Sequence, residues 1–253
     1  MNTSDLIKDF FQVDDMCSDS NPKRFYYRYD MDDICPNQIL SRYMSINSLI
    51  HILNGKFYVS KKEYFDDKLE NDTNKIQFCF KEFGEESAER ITNNLKIWGQ
   101  VKEISKHLLT SCWTLKKNED FLMWSSYTDR FNGVMIKAPL ENILSSFINP
   151  PLCKVAKIYY QDKPSFDSVD NVLFFKSNHF KHEEEIRLYF RCNNSEAQQG
   201  EKFDVNPSVM IDEIILSPFM KPNEEIFYTN ALATQYPFIK GKIRSSDIEL
   251  NVM

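Results

Sequence analysis

The sequence predicts an α+β fold: a single domain with a mixed, mostly antiparallel sheet and flanking helices. Three observations predict it. Strand-like and helix-like runs interleave without a regular repeat, which disfavours the strict alternation of a doubly wound sheet. An apolar fraction of 42%, with 20 Phe and 12 Tyr, is ample for a packed core. No stretch of the 253 residues reads as a linker, so one core with decorations is expected, organised as an N-terminal extension over 1–36 and one α+β domain over 37–253.

Within the extension, Leu6-Ile7-Lys8-Asp9-Phe10-Phe11 is a short helical pattern with Thr3 or Ser4 placed as its N-cap. Ile46, Leu49, Ile50 and Leu53 then recur at the spacing of one helical face, with Ser45 as cap and Gly55 as stop, and a strand follows over Lys56 to Ser60. Glu85 to His107 is the longest helical candidate. Strand-like runs follow at 108–114, 133–138, 152–160, 185–192, 209–216 and 242–250, and helical runs near 139–147 and 223–235.

Charge, glycine and cysteine usage narrow the function classes. The formal net charge is -6 with Lys and Arg scattered, so no basic stripe announces phosphate contacts along a nucleic acid. The six glycines (Gly55, Gly84, Gly99, Gly133, Gly200, Gly241) are far apart, which removes both a dinucleotide fingerprint and a phosphate-cradling P-loop. The N-terminus lacks a basic segment followed by an apolar run, and no apolar stretch has bilayer-spanning length, so a cytoplasmic location with no membrane partner is expected. Cys17, Cys35, Cys79, Cys112, Cys153 and Cys192 form no C-x-x-C pair and read as reduced thiols. Four of them sit in apolar strand-like runs such as Ile76 to Phe80, where a thiol behaves as a small hydrophobe. His179 and His182 stand three apart before a run of acids, but without a further His or Cys nearby no metal site is expected.

Two segments carry candidate chemistry. In 183–191, Ile186, Leu188 and Phe190 alternate with Glu185, Arg187, Tyr189 and Arg191, so a strand would bury the first set and present the second on one polar face, with Glu183 in line. Two like charges in a cleft push one pKa up, which suits acid/base work, and a single carboxylate can stabilise a positive charge developing on a ribose ring. The bland reading of the same strand is an ordinary Glu185–Arg187 ion pair with Glu183 in solvent. In the second segment Met123, Trp124, Tyr127 and Phe131 recur at helical spacing, with Gly133 closing that helix. Such a stripe is commonly core, yet Ser111, Thr114, Ser125, Ser126 and Tyr127 supply enough hydroxyls to line a polar pocket with aromatic walls.

The order and wording of these segments resemble the bacterial family catalogued as domain of unknown function 2971, from about Leu40 to Pro218. The resemblance runs through Arg42-Tyr43 to Gly55, the turn Phe65-Asp66-Asp67-Lys68-Leu69-Glu70, the strand Cys112-Trp113-Thr114, Met123 to Gly133, and Glu183-x-Glu185-x-Arg187. It departs from the family at Asp66-Asp67-Lys68, where Asn-Asp-Pro is usual, and at Trp113-Thr114, where Phe-Ser is usual. A further resemblance is to ADP-ribosyltransferase-like folds, in which an early Arg holds NAD, a Ser/Thr-rich strand braces the site and a late Glu-x-Glu touches the nicotinamide ribose.

That resemblance implies an NAD-consuming transferase or glycohydrolase, a toxin or anti-phage effector, acting on an unspecified protein or nucleic-acid acceptor or on NAD itself. It implies Glu185 and Glu183 as catalytic, Arg42, Ser111, Thr114, Trp124, Tyr127 and Arg187 as NAD-binding, and no metal. The alternative is a non-catalytic binding module in which the Met123 to Gly133 region forms an aromatic and hydroxyl recognition surface.

Overall fold

A computed structural model of the protein describes residues 3–11, 27–29, 34–61, 88–149, 152–162, 168–192 and 199–250. The expected turn at Phe65 to Glu70, the run around Cys79, and Cys17 lie outside them. In chain order the elements begin with α1 (Thr3–Phe11), β1 (Tyr27–Tyr29), β2 (Ile39–Ser45), α2 (Ile46–Leu53), β3 (Lys56–Lys61), α3 (Ala88–Ser105) and β4 (Leu108–Thr114). There follow α4 (Phe121–Tyr127), β5 (Gly133–Pro139), α5 (Leu140–Ser145), β6 (Cys153–Lys157), β7 (Tyr159–Gln161), α6 (Val169–Leu173) and β8 (Phe175–Ser177). The remainder are β9 (Glu185–Arg191), β10 (Gly200–Asp204), α7 (Pro207–Met210), β11 (Glu213–Leu216), α8 (Pro222–Gln235) and β12 (Ile243–Arg244). The architecture is mixed α and β, with a mostly antiparallel mixed sheet and flanking helices.

The described residues group into two compact units. The first draws on Met1–Asp32, Val59–Ser111 and Pro151–Glu201, the second on Asp33–Tyr58, Cys112–Pro150 and Lys202–Met253. Strands β3, β4 and β10 therefore each supply residues to both.

In the first unit the strand order is β1-β6-β9-β4, with β1 parallel to β6 and β6 antiparallel to β9. Ala156 pairs with Arg187 and Lys154 with Tyr189, so these four side chains share one face of the sheet. That face is covered by α1, α3 and α6: Leu6, Ile7, Phe10, Ile97, Val101, Ile104, Val172 and Leu173 are buried with Leu108, Ala156, Ile158 and Tyr189 in one cluster. Each such Leu, Ile or Phe contributes about 1.5–3 kcal/mol by leaving water. The N-terminal helix is thus part of this core. It already includes Thr3 and Ser4, and the Thr3 hydroxyl donates to Glu103 at 3.1 Å rather than capping. Lys154, fully buried, is neutralised by Asp170 at 2.8 Å and lies over the rings of Phe10 and Phe174.

In the second unit β2 pairs antiparallel with β4 and β5, β5 antiparallel with β11, and β11 parallel with β12. Ser45 caps α2, its hydroxyl accepting the Ser48 N–H at 3.2 Å. Gly55 follows at φ +77°, where a Cβ would lie 3.2 Å from the Val205 carbonyl oxygen, so conformation and close approach both select glycine. On one sheet face Tyr43, Met135 and Ile215 pack with Met123 and Trp124 of α4.

Several sequence boundaries move for local reasons. The expected strand over 152–160 divides: β6 stops at Lys157, and β7 leaves to pair in parallel with β8. The run from Val209 begins as the helical turn α7, capped by Asn206, and the strand starts only at Glu213. Pairing in the last run is confined to Ile243–Arg244. Helix α4 ends at Tyr127 because Thr128 turns extended and its hydroxyl donates to the Trp124 carbonyl at 2.6 Å. Gly133 opens β5 instead of closing the helix, and its missing Cβ makes room for the Thr128 side chain.

Candidate functional site

In the first unit both acids of the Glu-x-Glu pattern converge on one cation. The Lys176 ammonium donates to Glu183 Oε2 at 2.6 Å and to Glu185 Oε2 at 3.1 Å. Arg187 completes the cluster, its Nε donating to Glu185 Oε1 at 2.6 Å and its Nη2 to Glu185 Oε2 at 3.0 Å, a two-point grip that fixes the carboxylate plane. Among the described residues two carboxylates meet two cations here, and mutual pairing is the condition under which charges persist inside a protein.

The backbone explains the convergence. Glu183 ends a 3-10 turn over Asn178–Glu183, and Glu184 adopts the left-handed conformation at φ 45°, ψ 51° before β9 begins. A non-glycine residue there costs about 1–2 kcal/mol. Glu183 therefore reaches the shared ammonium from a turn and not from an extension of the strand. β7 and β8 supply the other side. Tyr160 and Lys176 are register partners, so they present side by side; the Tyr160 hydroxyl accepts the Glu185 N–H at 2.7 Å while Lys176 takes the carboxylates. Burial pushes the Tyr160 hydroxyl above its usual pKa; the bond from the Glu185 amide opposes the rise, and the charges of Glu185 and Glu183 add to it.

The open polar face expected of this strand is absent. Glu183, Glu185 and Arg187 are exposed to only 3%, 3% and 1%, because helices and the β7–β8 pair cover the face that alternation made polar. The bland expectation is corrected as well, since Glu183 is buried and paired with Lys176 rather than solvated. Sequence reasoning passed over Lys176, which stands in Phe174-Phe175-Lys176-Ser177 with no pattern to mark it. Ser111, also fully buried, neighbours Thr110 and shares β4 with Leu108. Since Leu108 belongs to the cluster containing Tyr189, strand alternation turns Ser111 to the other sheet face from Arg187.

In the second unit the remaining predicted residues also divide. The Ser41↔Thr114 pairing puts Thr114 on the face of Ser41 and Tyr43, which leaves Arg42 on the opposite face. Arg42 lies over the rings of Phe57 and Trp113, 5.1 and 5.9 Å from the centroids, and burial lowers its pKa from the usual arginine value. Trp124 is a core residue: fully buried, edge-on to Tyr43 with centroids 4.9 Å apart, and donating Nε1–H to Glu119 at 3.1 Å. It offers no ring face to a ligand, which corrects its expected role. Asp120 caps α4 by accepting from the N–H groups of Leu122 and Met123.

That unit also exposes several large apolar side chains. Phe121, Leu122, Tyr127 and Phe131 are exposed, as are Ile226 and Phe227 on α8. Nearby, Phe121 meets Phe219 with ring centroids 5.4 Å apart, Arg130 lies over the Phe219 ring, and the Tyr228 hydroxyl donates to Asn132 at 3.4 Å.

Fold and site thus define an α+β protein with a buried, cation-clamped carboxylate pair in one unit and an exposed aromatic face on the other. No family model, no curated protein and no solved structure matches the chain. Among the described residues, no helix is long and apolar enough to cross a membrane.

Proposed function

We propose that the chain is an ADP-ribosyltransferase-like enzyme that consumes NAD, with Glu185 and Glu183 as its catalytic pair and family 2971 as its kin. One observation carries the reading: two fixed carboxylates converge on the same ammonium, that of Lys176. When nicotinamide leaves with the electron pair of its glycosidic bond, the ribose becomes oxocarbenium-like, and a carboxylate already held in place stabilises it without reorganising. In this reading Glu185 faces the ribose, and Glu183 takes the proton of the attacking water or acceptor hydroxyl, so that the products are nicotinamide, ADP-ribose or its adduct, and a proton. Arg187 orients Glu185. Trp124 drops out of the NAD-binding set, and the sheet faces give no support to grouping Arg42 with Thr114 or Ser111 with Arg187.

The test is release of nicotinamide from NAD, followed by mass measurement, for wild type and Glu185→Gln. The variant keeps an oxygen that accepts from Arg187 but removes one buried charge, so it should be less stable yet folded by circular dichroism, and lose about a hundred- to a thousandfold in rate, the scale of removing a main electrostatic group. Release at the wild-type rate by the folded variant would end the proposal.

A second reading, a binding module, is favoured by four large apolar side chains exposed within eleven residues, Phe121, Leu122, Tyr127 and Phe131, since exposed apolar surface can mark contact sites. No nicotinamide release across protein and nucleic-acid acceptors would favour it.

A further inference from the structure

We propose that Lys176 is a built-in plug: its ammonium occupies the position the cationic ribose needs, and the described state is the closed one. The inference rests on the ribosyl-transfer reading and concerns the regulation of that same site.

The Lys176 ammonium is 2.6 Å from Glu183 and 3.1 Å from Glu185, at the distances an oxocarbenium or its 2′-hydroxyl would take up. A group that stabilises one positive charge is unavailable to a second at the same point. Lys176 is buried, so substrate reaches the pair only after the side chain withdraws.

Its support is of a kind that can withdraw. The lysine sits on β8, a three-residue strand that, among the described residues, shares its sheet with β7, and a two-stranded ribbon is marginal by itself. Its ammonium is also steadied 4.7 Å from the Phe180 ring centroid. The four-carbon stem carries a compact charge that moves without backbone change, unlike the planar fork of Arg187. The two cations thus divide the work: Arg187 grips Glu185 from its own strand and orients it, while Lys176 arrives from the ribbon and covers it.

The experiment compares nicotinamide release by wild type, Lys176→Met and Phe180→Ala at saturating NAD, with thermal melting of each. The methionine variant keeps the stem and removes the charge; the alanine variant keeps the charge and removes its perch. The plug predicts a rise in kcat of about tenfold in Lys176→Met and a smaller rise in Phe180→Ala. Should Lys176→Met fail to fold, Phe180→Ala decides. Wild-type release with no increase in either folded variant overturns the plug and leaves ribosyl transfer standing. No release by any of the three overturns both.

Discussion

Removing Arg187 tests the internal electrostatics most directly. Its guanidinium is 1% exposed and supplies two of the bonds that hold Glu185, at 2.6 and 3.0 Å. Arg187→Met keeps a long apolar stem of similar reach but removes one positive charge from the cluster and both guanidinium bonds from the Glu185 carboxylate. Breaking a buried pair by deleting one partner costs about 3–5 kcal/mol, because the remaining charge stays out of water. Arg187→Met with Glu185→Leu removes both charges and should recover most of that loss, since apolar replacement of a buried pair is often neutral. Urea unfolding by circular dichroism gives the size. Because the chain forms two compact units, amide hydrogen exchange in β9 and β6 should locate it, without assuming one transition. A loss below about 1 kcal/mol in Arg187→Met, or a double variant no more stable than the single one, would refute the view that the cluster is held by mutual neutralisation.

Two other outcomes follow from the environments of single groups. Burial pushes the Asp120 carboxyl up, but bonds from Lys116 and from the Leu122 and Met123 amides outweigh it and hold the pKa below the usual value. A lowered folded-state pKa contributes stability that is complete above about pH 4, the unfolded value, and is lost as pH falls through the folded one. Acid unfolding followed between about pH 4 and 2 should therefore be shallower for Asp120→Asn than for wild type, and equal slopes would contradict this. Burial raises the Cys153 thiol well above its ordinary pKa, whereas Cys35 is exposed. Iodoacetamide at pH 8 should alkylate Cys35 and leave Cys153 untouched until denaturant is added, as peptide mass mapping would show.

Local chemistry was readable along much of the chain. Ser45 and Gly55 bracket α2, and the apolar runs at 108–114 and 133–138 become β4 and β5, because caps, positive φ and side-chain alternation act over a few residues. The same alternation put Glu185, Arg187 and Tyr189 on one face. Where it misled, a contact that alternation does not describe had decided the matter. The run 152–160 divides because β7 finds β8, and α4 ends early because Thr128 bonds back to Trp124.

Sequence alone determined the α+β class and its mostly antiparallel sheet, since periodicity and turn chemistry are properties of short segments. It also placed three acids and an arginine within five residues, Glu183 to Arg187, with Glu183, Glu185 and Arg187 at alternate positions. Only the tertiary structure decided that their face is covered and that the covering includes Lys176. Burial and charge pairing depend on which distant elements dock on a strand, and a strand's own pattern shows that it has a polar face without showing what lies against it.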